Sequence, residues 1–132
     1  MDTTVARYHE AMCRKSADAL ADLYAEDAVH EFPFSTPGFP PRLEGREAIR
    51  ETYRAMWGAS PVVLDRVGDV VTHRTTDPEV VIVEQVATGT VGGPGGPRFD
   101  MPGLLVLRIR DGVITHCRDY LDGLALTELA SS

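Results

Sequence analysis

The dipeptide Asp111-Gly112 divides a β-rich stretch, FDMPGLLVLRIR before it and VITHCRDYLDG after it. Asp-Gly between such runs is a strong hairpin signal, because a two-residue turn needs positive φ and glycine takes that conformation without a Cβ clash. The first strand supplies an apolar run from Leu104 to Ile109. Alternation on the second puts Cys117, Asp119 and Leu121 on one face and His116, Arg118, Tyr120 and Asp122 on the other. If the first set faces inward, Asp119 is a carboxyl group between a thiol and a leucine. Desolvation there disfavours its charged form and raises its pKa toward the range useful for acid–base work.

Upstream of the hairpin the pattern is helical and then β. Thr3 to Arg14 predicts a first helix with Val5, Tyr8 and Met12 on one face. Ser16 is a candidate N-cap for a second helix, whose stripe of Leu20, Leu23 and Tyr24 runs to about Asp27. Ala28 to Phe34 predicts a short strand in which His30, Phe32 and Phe34 share a face. The proline-rich run from Ser35 to Leu43 predicts a loop. Glu44 to Trp57 returns to helical spacing with Ile49, Tyr53, Met56 and Trp57 in register, and Gly58 predicts its stop. Strands follow over Val62 to Val71 and Val80 to Val91, with Asp77-Pro78-Glu79 as the turn between them. GGPGGP, from Gly92 to Pro97, is a hairpin connection; a phosphate-cradling loop needs a helix directly after it, and here a strand follows. Leu124 to Leu129 closes the pattern with a short helix. Helices first and an antiparallel sheet after them define an α+β class, and residues 1–132 are expected to form one domain.

Composition excludes several functions. A net charge of −7 and the lack of a basic stripe with interleaved aromatics argue against nucleic acid and anionic membranes as partners. No apolar run reaches the ~20 residues of a bilayer span, and the first residues lack a basic-then-apolar leader, so the expected location is cytoplasmic. Cys13 and Cys117 are accordingly expected as free thiols. The four histidines are dispersed, with only His9 and Cys13 at i, i+4 spacing, so neither a metal nor another cofactor is expected. Lys15, the single lysine, stands in the polar run CRKS, where a buried Schiff-base lysine is not expected.

Taken together, ARYHEAM, DALADLYAEDAVHEFPF, LEGREAIRETYRAMW and VLRIRDGVITHCRDYLD resemble the nuclear transport factor 2-like superfamily, in its SnoaL-like and ketosteroid-isomerase-like branch. The resemblance implies a cone-shaped α+β barrel, with a strongly bent sheet wrapped around N-terminal helices, an apolar pocket, and a homodimer through the outer face of the sheet. It places Tyr8 where the isomerases carry an oxyanion-hole tyrosine. The isomerase base position falls on Phe32 and its protonated acid on Leu105, and neither side chain can transfer a proton. Standard steroid isomerisation is therefore not expected. RDYLD is also similar to the last strand of limonene-epoxide-hydrolase-like proteins, with Asp119 at the acid position, but Gln85 and Ala87 stand where those proteins need an arginine and an aspartate. Phenazine-biosynthesis proteins likewise keep an acid at that last-strand position and share the pattern of Asp77-Pro78 followed by Glu84.

The catalytic candidates are thus Asp119, His30 and Tyr8: a carboxyl with a raised pKa, an imidazole able to relay protons near neutral pH, and a phenol able to donate to a substrate oxygen. Gln85, Phe32, Tyr53, Trp57, Leu105, Cys117 and Leu121 are candidates to contact the substrate. The expected function is acid–base catalysis without a cofactor on an apolar, oxygenated small molecule, of the isomerase or cyclase type found in secondary metabolism. Epoxide hydrolysis is the alternative reaction, and a non-catalytic ligand-binding or association module is the alternative of a different class.

Overall fold

The computed structural model describes residues 2–34 and 40–130. Four helices and six strands run α1 (Asp2–Arg14), α2 (Ala17–Ala21), β1 (Tyr24–Glu31), β2 (Arg42–Glu44), α3 (Arg46–Ala59), β3 (Val62–Arg74), β4 (Val80–Val91), β5 (Arg98–Arg110), β6 (Val113–Tyr120) and α4 (Gly123–Ala130). The strands form one sheet in the order β2-β1-β6-β5-β4-β3. It is curved and unclosed, with β2 and β3 at its edges, and the helices fill its concave side as in a cone-shaped α+β barrel. All neighbours pair antiparallel except β1 and β6, which run parallel with His30 opposite Cys117.

Alternation decides which side chains face the helices. From β4, Val81, Val83, Gln85 and Ala87 point inward; from β5, Leu105, Leu107 and Ile109; from β6, Ile114 and Cys117. All but Gln85 and Ala87 meet Val5, Tyr8 and Ala11 of α1, Leu20 of α2, and Ile49 and Tyr53 of α3 in one core. The turn between β5 and β6 has Asp111 at φ 52° and Gly112 at φ 78°, the double positive φ that an Asp-Gly hairpin supplies.

Several boundaries differ from the sequence expectation. The second helix stops at Ala21 instead of running to Asp27, because Leu23 N–H bonds Leu20 O in a turn and Tyr24 already belongs to β1. Phe32 and Phe34 therefore lie beyond the strand end at Glu31. Gly58 lies inside α3, and Ser60, in extended conformation, ends that helix. Of the expected proline-rich loop, residues 35–39 lie outside the described residues, while Arg42 and Leu43 belong to β2, held on β1 by the register His30 to Leu43.

The end of α1 is unusual in one respect. Ser16 N–H bonds Ala11 O and Lys15 N–H bonds Met12 O, the paired bonds of a Schellman cap. Lys15 holds the left-handed position of that cap at φ 50°, where glycine is the usual occupant. Ser16 then caps the next helix by accepting from Ala19 N–H.

Candidate active site

A cavity of about 330 Å³ opens between the concave face of the sheet and helices α1, α3 and α4. Each helix contributes residues at helical spacing: Tyr8 and Met12 from α1, with Lys15 from the cap that ends it; Tyr53, Met56, Trp57 and Ser60 from α3 and its end; Leu126 and Thr127 from α4. The sheet contributes Val62, Leu64, Gln85, Ala87, Phe99, Met101, Leu105 and Asp119. The walls are mainly apolar, with a few polar groups converging, the usual make-up of a small-molecule site.

Asp119 enters this cavity from β6 opposite Leu105 of β5, with its side chain 16% exposed. Burial pushes its carboxyl up from the ordinary value to about 7, opposed by a hydrogen bond from Tyr53. That bond runs from the Tyr53 hydroxyl to Asp119 Oδ2 at 3.1 Å. The Tyr53 oxygen lies 3.0 Å from His30 Nε2, and the Tyr24 oxygen lies 2.8 Å from His30 Nδ1. With Asp119 ionised, donor and acceptor logic fixes the whole chain. Tyr53 donates to the carboxylate, its oxygen accepts from His30 Nε2–H, and His30 Nδ1 accepts from the Tyr24 hydroxyl. This assigns one neutral tautomer to His30. Burial, helped by the charge on His116, lowers its pKa to about 3, so the ring stays neutral near pH 7.

Tyr8 is 2% exposed, and burial, ahead of the charges around it, raises its pKa so that the hydroxyl stays protonated at the cavity wall, where it is hydrogen-bonded with Tyr24. Gln85 accepts from His9 Nε2–H through Oε1 at 2.6 Å. Its amide nitrogen is consequently left on the cavity side, toward Gly103. Tyr53, Trp57, Leu105 and Leu121 also line the cavity.

Three sequence candidates stand elsewhere. His30 is fully buried behind Tyr53 and does not line the cavity; its Nε2 lies 3.0 Å from the Tyr53 oxygen and 3.8 Å from Asp119 Oδ2, and burial lowers its pKa to about 3. Phe32 is 3% exposed and stacks on His30 at a ring distance of 4.8 Å, inside the core. Cys117 is wholly buried, away from the cavity, and burial pushes its thiol up, which makes it inert packing. Asp122, expected on the outer face, lines the cavity instead, because β6 ends at Tyr120 and alternation ends with it. Its Oδ1 accepts from Ala125 N–H at the start of α4. Met12, Met56 and Lys15 were not singled out by the sequence, since methionines at helical spacing read as core and a lysine beside Arg14 reads as solvated surface.

The remaining histidines are spread among separate partners, His73 with Glu84 and His116 with Glu31. Among the described residues no three His, Cys, Asp or Glu side chains converge. No helix there is long and apolar enough to cross a membrane.

A bent sheet folded over helices, with the Asp119 carboxyl group buried in a mainly apolar cavity, defines a small-ligand α+β pocket protein. The SnoaL-like domain model matches residues 5–117, and the chain belongs to that family, within the nuclear transport factor 2-like superfamily. Among curated relatives, the PhzA/B-like protein PA3332 of Pseudomonas aeruginosa is 36% identical over 85% of this chain and 78% of its own length. Among solved structures, a Bacillus subtilis protein named "Putative Isomerase" is 28% identical, with a TM-score of 0.84 over 98% of this chain and 91% of that one. A Xanthomonas campestris protein named "putative polyketide cyclase" is also 28% identical, with a TM-score of 0.70 over 98% and 93% of the two chains.

Proposed function

We propose that this protein is an acid–base catalyst of the isomerase or cyclase type, acting without a cofactor on an apolar, oxygenated small molecule. Asp119 supplies the base and then the acid, and the observation that carries the reading is its carboxyl, raised to about 7 inside the apolar cavity. Near pH 7 such a group is populated in both protonation states, the condition under which one residue can take and return a proton efficiently. In the proposed step, ionised Asp119 removes a proton from the carbon next to a substrate carbonyl. The C–H electrons form the C=C bond of an enolate, and its oxygen accepts a hydrogen bond from Tyr8 or from the Gln85 amide. Return of the proton to a different carbon gives an isomer. Attack of the enolate carbon on a second carbonyl closes a ring, with Asp119 returning the proton to the new alkoxide. The names carried by the Bacillus and Xanthomonas neighbours agree with this class. Epoxide hydrolysis is served less well, since Gln85 is engaged by His9 and Ala87 has no group to position water.

The test is deuterium exchange at C1 of 2-tetralone in D₂O, followed by NMR. The protein is expected to accelerate exchange above buffer, with a rate that rises through an apparent pKa near 7. Asp119→Asn is expected to lower the accelerated rate by about 10²-fold or more. Absence of acceleration by the wild type, or full activity in the variant, would overturn the assignment.

A further inference from the structure

The cavity has a second polar end. From Tyr8 on α1 to Lys15 in the cap that ends it is seven residues, and from Tyr53 on α3 to Ser60 at its end is likewise seven; all four line the cavity, with Met12, Met56 and Trp57 between them. Seven residues span roughly 10 Å of helix. The phenol–carboxyl end and the lysine end are therefore separated by about the length of a fused two-ring skeleton, with apolar walls between.

Lys15 Nζ is fixed at its end. It donates to Ser60 O at 2.9 Å and to Trp57 O at 3.3 Å. An ammonium has three N–H donors, so one remains beyond these two carbonyls. The side chain is the chain's single lysine, and it starts from a left-handed backbone position that glycine would fill with less strain. A surface lysine has no need of that placement. Of the two other charged groups on the cavity wall, Asp119 belongs to the far end, and Asp122 is engaged in capping α4.

We infer that Lys15 is the anchor for a carboxylate on the ligand, so that the substrate class is an apolar carboxylic acid whose reacting, oxygenated carbon lies at the Asp119 end. This rests on the cavity being the ligand site proposed above, but not on Asp119 being its catalyst. The carboxylate meets a half-buried, pre-placed cation and its remaining N–H, a charge-assisted contact that a neutral group of the same shape makes more weakly.

An isosteric pair tests it: 2-naphthoate and 2-naphthamide, titrated calorimetrically and by quenching of Trp57, the single tryptophan, which lies on the cavity wall. The wild type is expected to bind the carboxylate about tenfold more tightly than the amide. Lys15→Met and Lys15→Gln are expected to lose that preference while binding the amide as before, and Lys15→Arg to retain it. A purely structural lysine, bracing the end of α3, would lower the affinity for both ligands equally. Equal binding of the pair by the wild type, a preference that survives in both uncharged variants, or no binding of either ligand at millimolar concentration overturns the proposal. Asp119→Asn separates the two readings: its carboxylate preference is expected to stay intact whether or not proton exchange is lost.

Discussion

Asp119 and His30 are both buried titratable groups, and their pKa values move in opposite directions. A carboxyl raised to about 7 stays protonated in the fold while the unfolded chain ionises near 4, so it withdraws stability as pH rises from about 4 to about 7. A histidine lowered to about 3 stays neutral in the fold while the unfolded chain protonates below about 6.5. It withdraws stability as pH falls from about 6.5 to about 3. Between pH 4.5 and 6 the two slopes oppose each other, which flattens the wild-type profile. Asp119→Asn is expected to expose the histidine slope, a loss of up to about 1.4 kcal/mol per pH unit on acidification through that window, measured by urea unfolding at stepped pH. A variant profile parallel to that of the wild type would show that the carboxyl is not perturbed. The inward placement of Asp119 was legible in the sequence, because alternation set it between Cys117 and Leu121. The placement of His30 was legible only as burial. What Lys15 does was not legible, since its two carbonyl partners lie 42 and 45 residues away.

Among the elements, β4 and the Asp111-Gly112 hairpin were readable from the sequence, because a turn with positive φ, at Gly92 after β4 and at Asp111-Gly112 between β5 and β6, adjoins a β-rich run. The junction of α2 and β1 was not. Leu20, Leu23 and Tyr24 keep helical spacing by coincidence, and what draws Tyr24 into a strand is its parallel pairing with Ile114 on β6, a partner that no local window contains. The β3–β4 ribbon contains a tighter local constraint. A Cβ placed on Gly89 would lie 1.9 Å from Val63 O, where the register shifts between Leu64 and Arg66. The obstacle is backbone, which cannot rotate away. Gly89→Ala is expected to destabilise the fold by ~2 kcal/mol or more, read by thermal or urea denaturation. A change within about 0.5 kcal/mol would mean that the ribbon bends freely there.

At the level of the molecule, the sheet has a second, outward face on which Ile82 pairs with Val106 and Glu84 with Leu104, flanked by the exposed Val70 and Val71. A homodimer through this face is the expected assembly, and sedimentation equilibrium at tens of micromolar should report twice the chain mass. Val106→Glu should shift it to monomer, and a monomeric wild type would end the expectation.

The parallel seam between β1 and β6 also sets an order in time. His30 faces Cys117, and Thr4 of α1 donates to Gly112 O over 108 residues, so α1 and β1 cannot be completed until β6 has emerged. At ~5–20 residues per second, Tyr24 and His30 wait several seconds on the ribosome for the partners that bury them. The pocket is thus the last thing to exist. Damage to β6 would leave Tyr24, Phe32 and Tyr53 uncovered for chaperones and proteases, and its consequence in a cell would be read as lost protein before it was read as lost turnover.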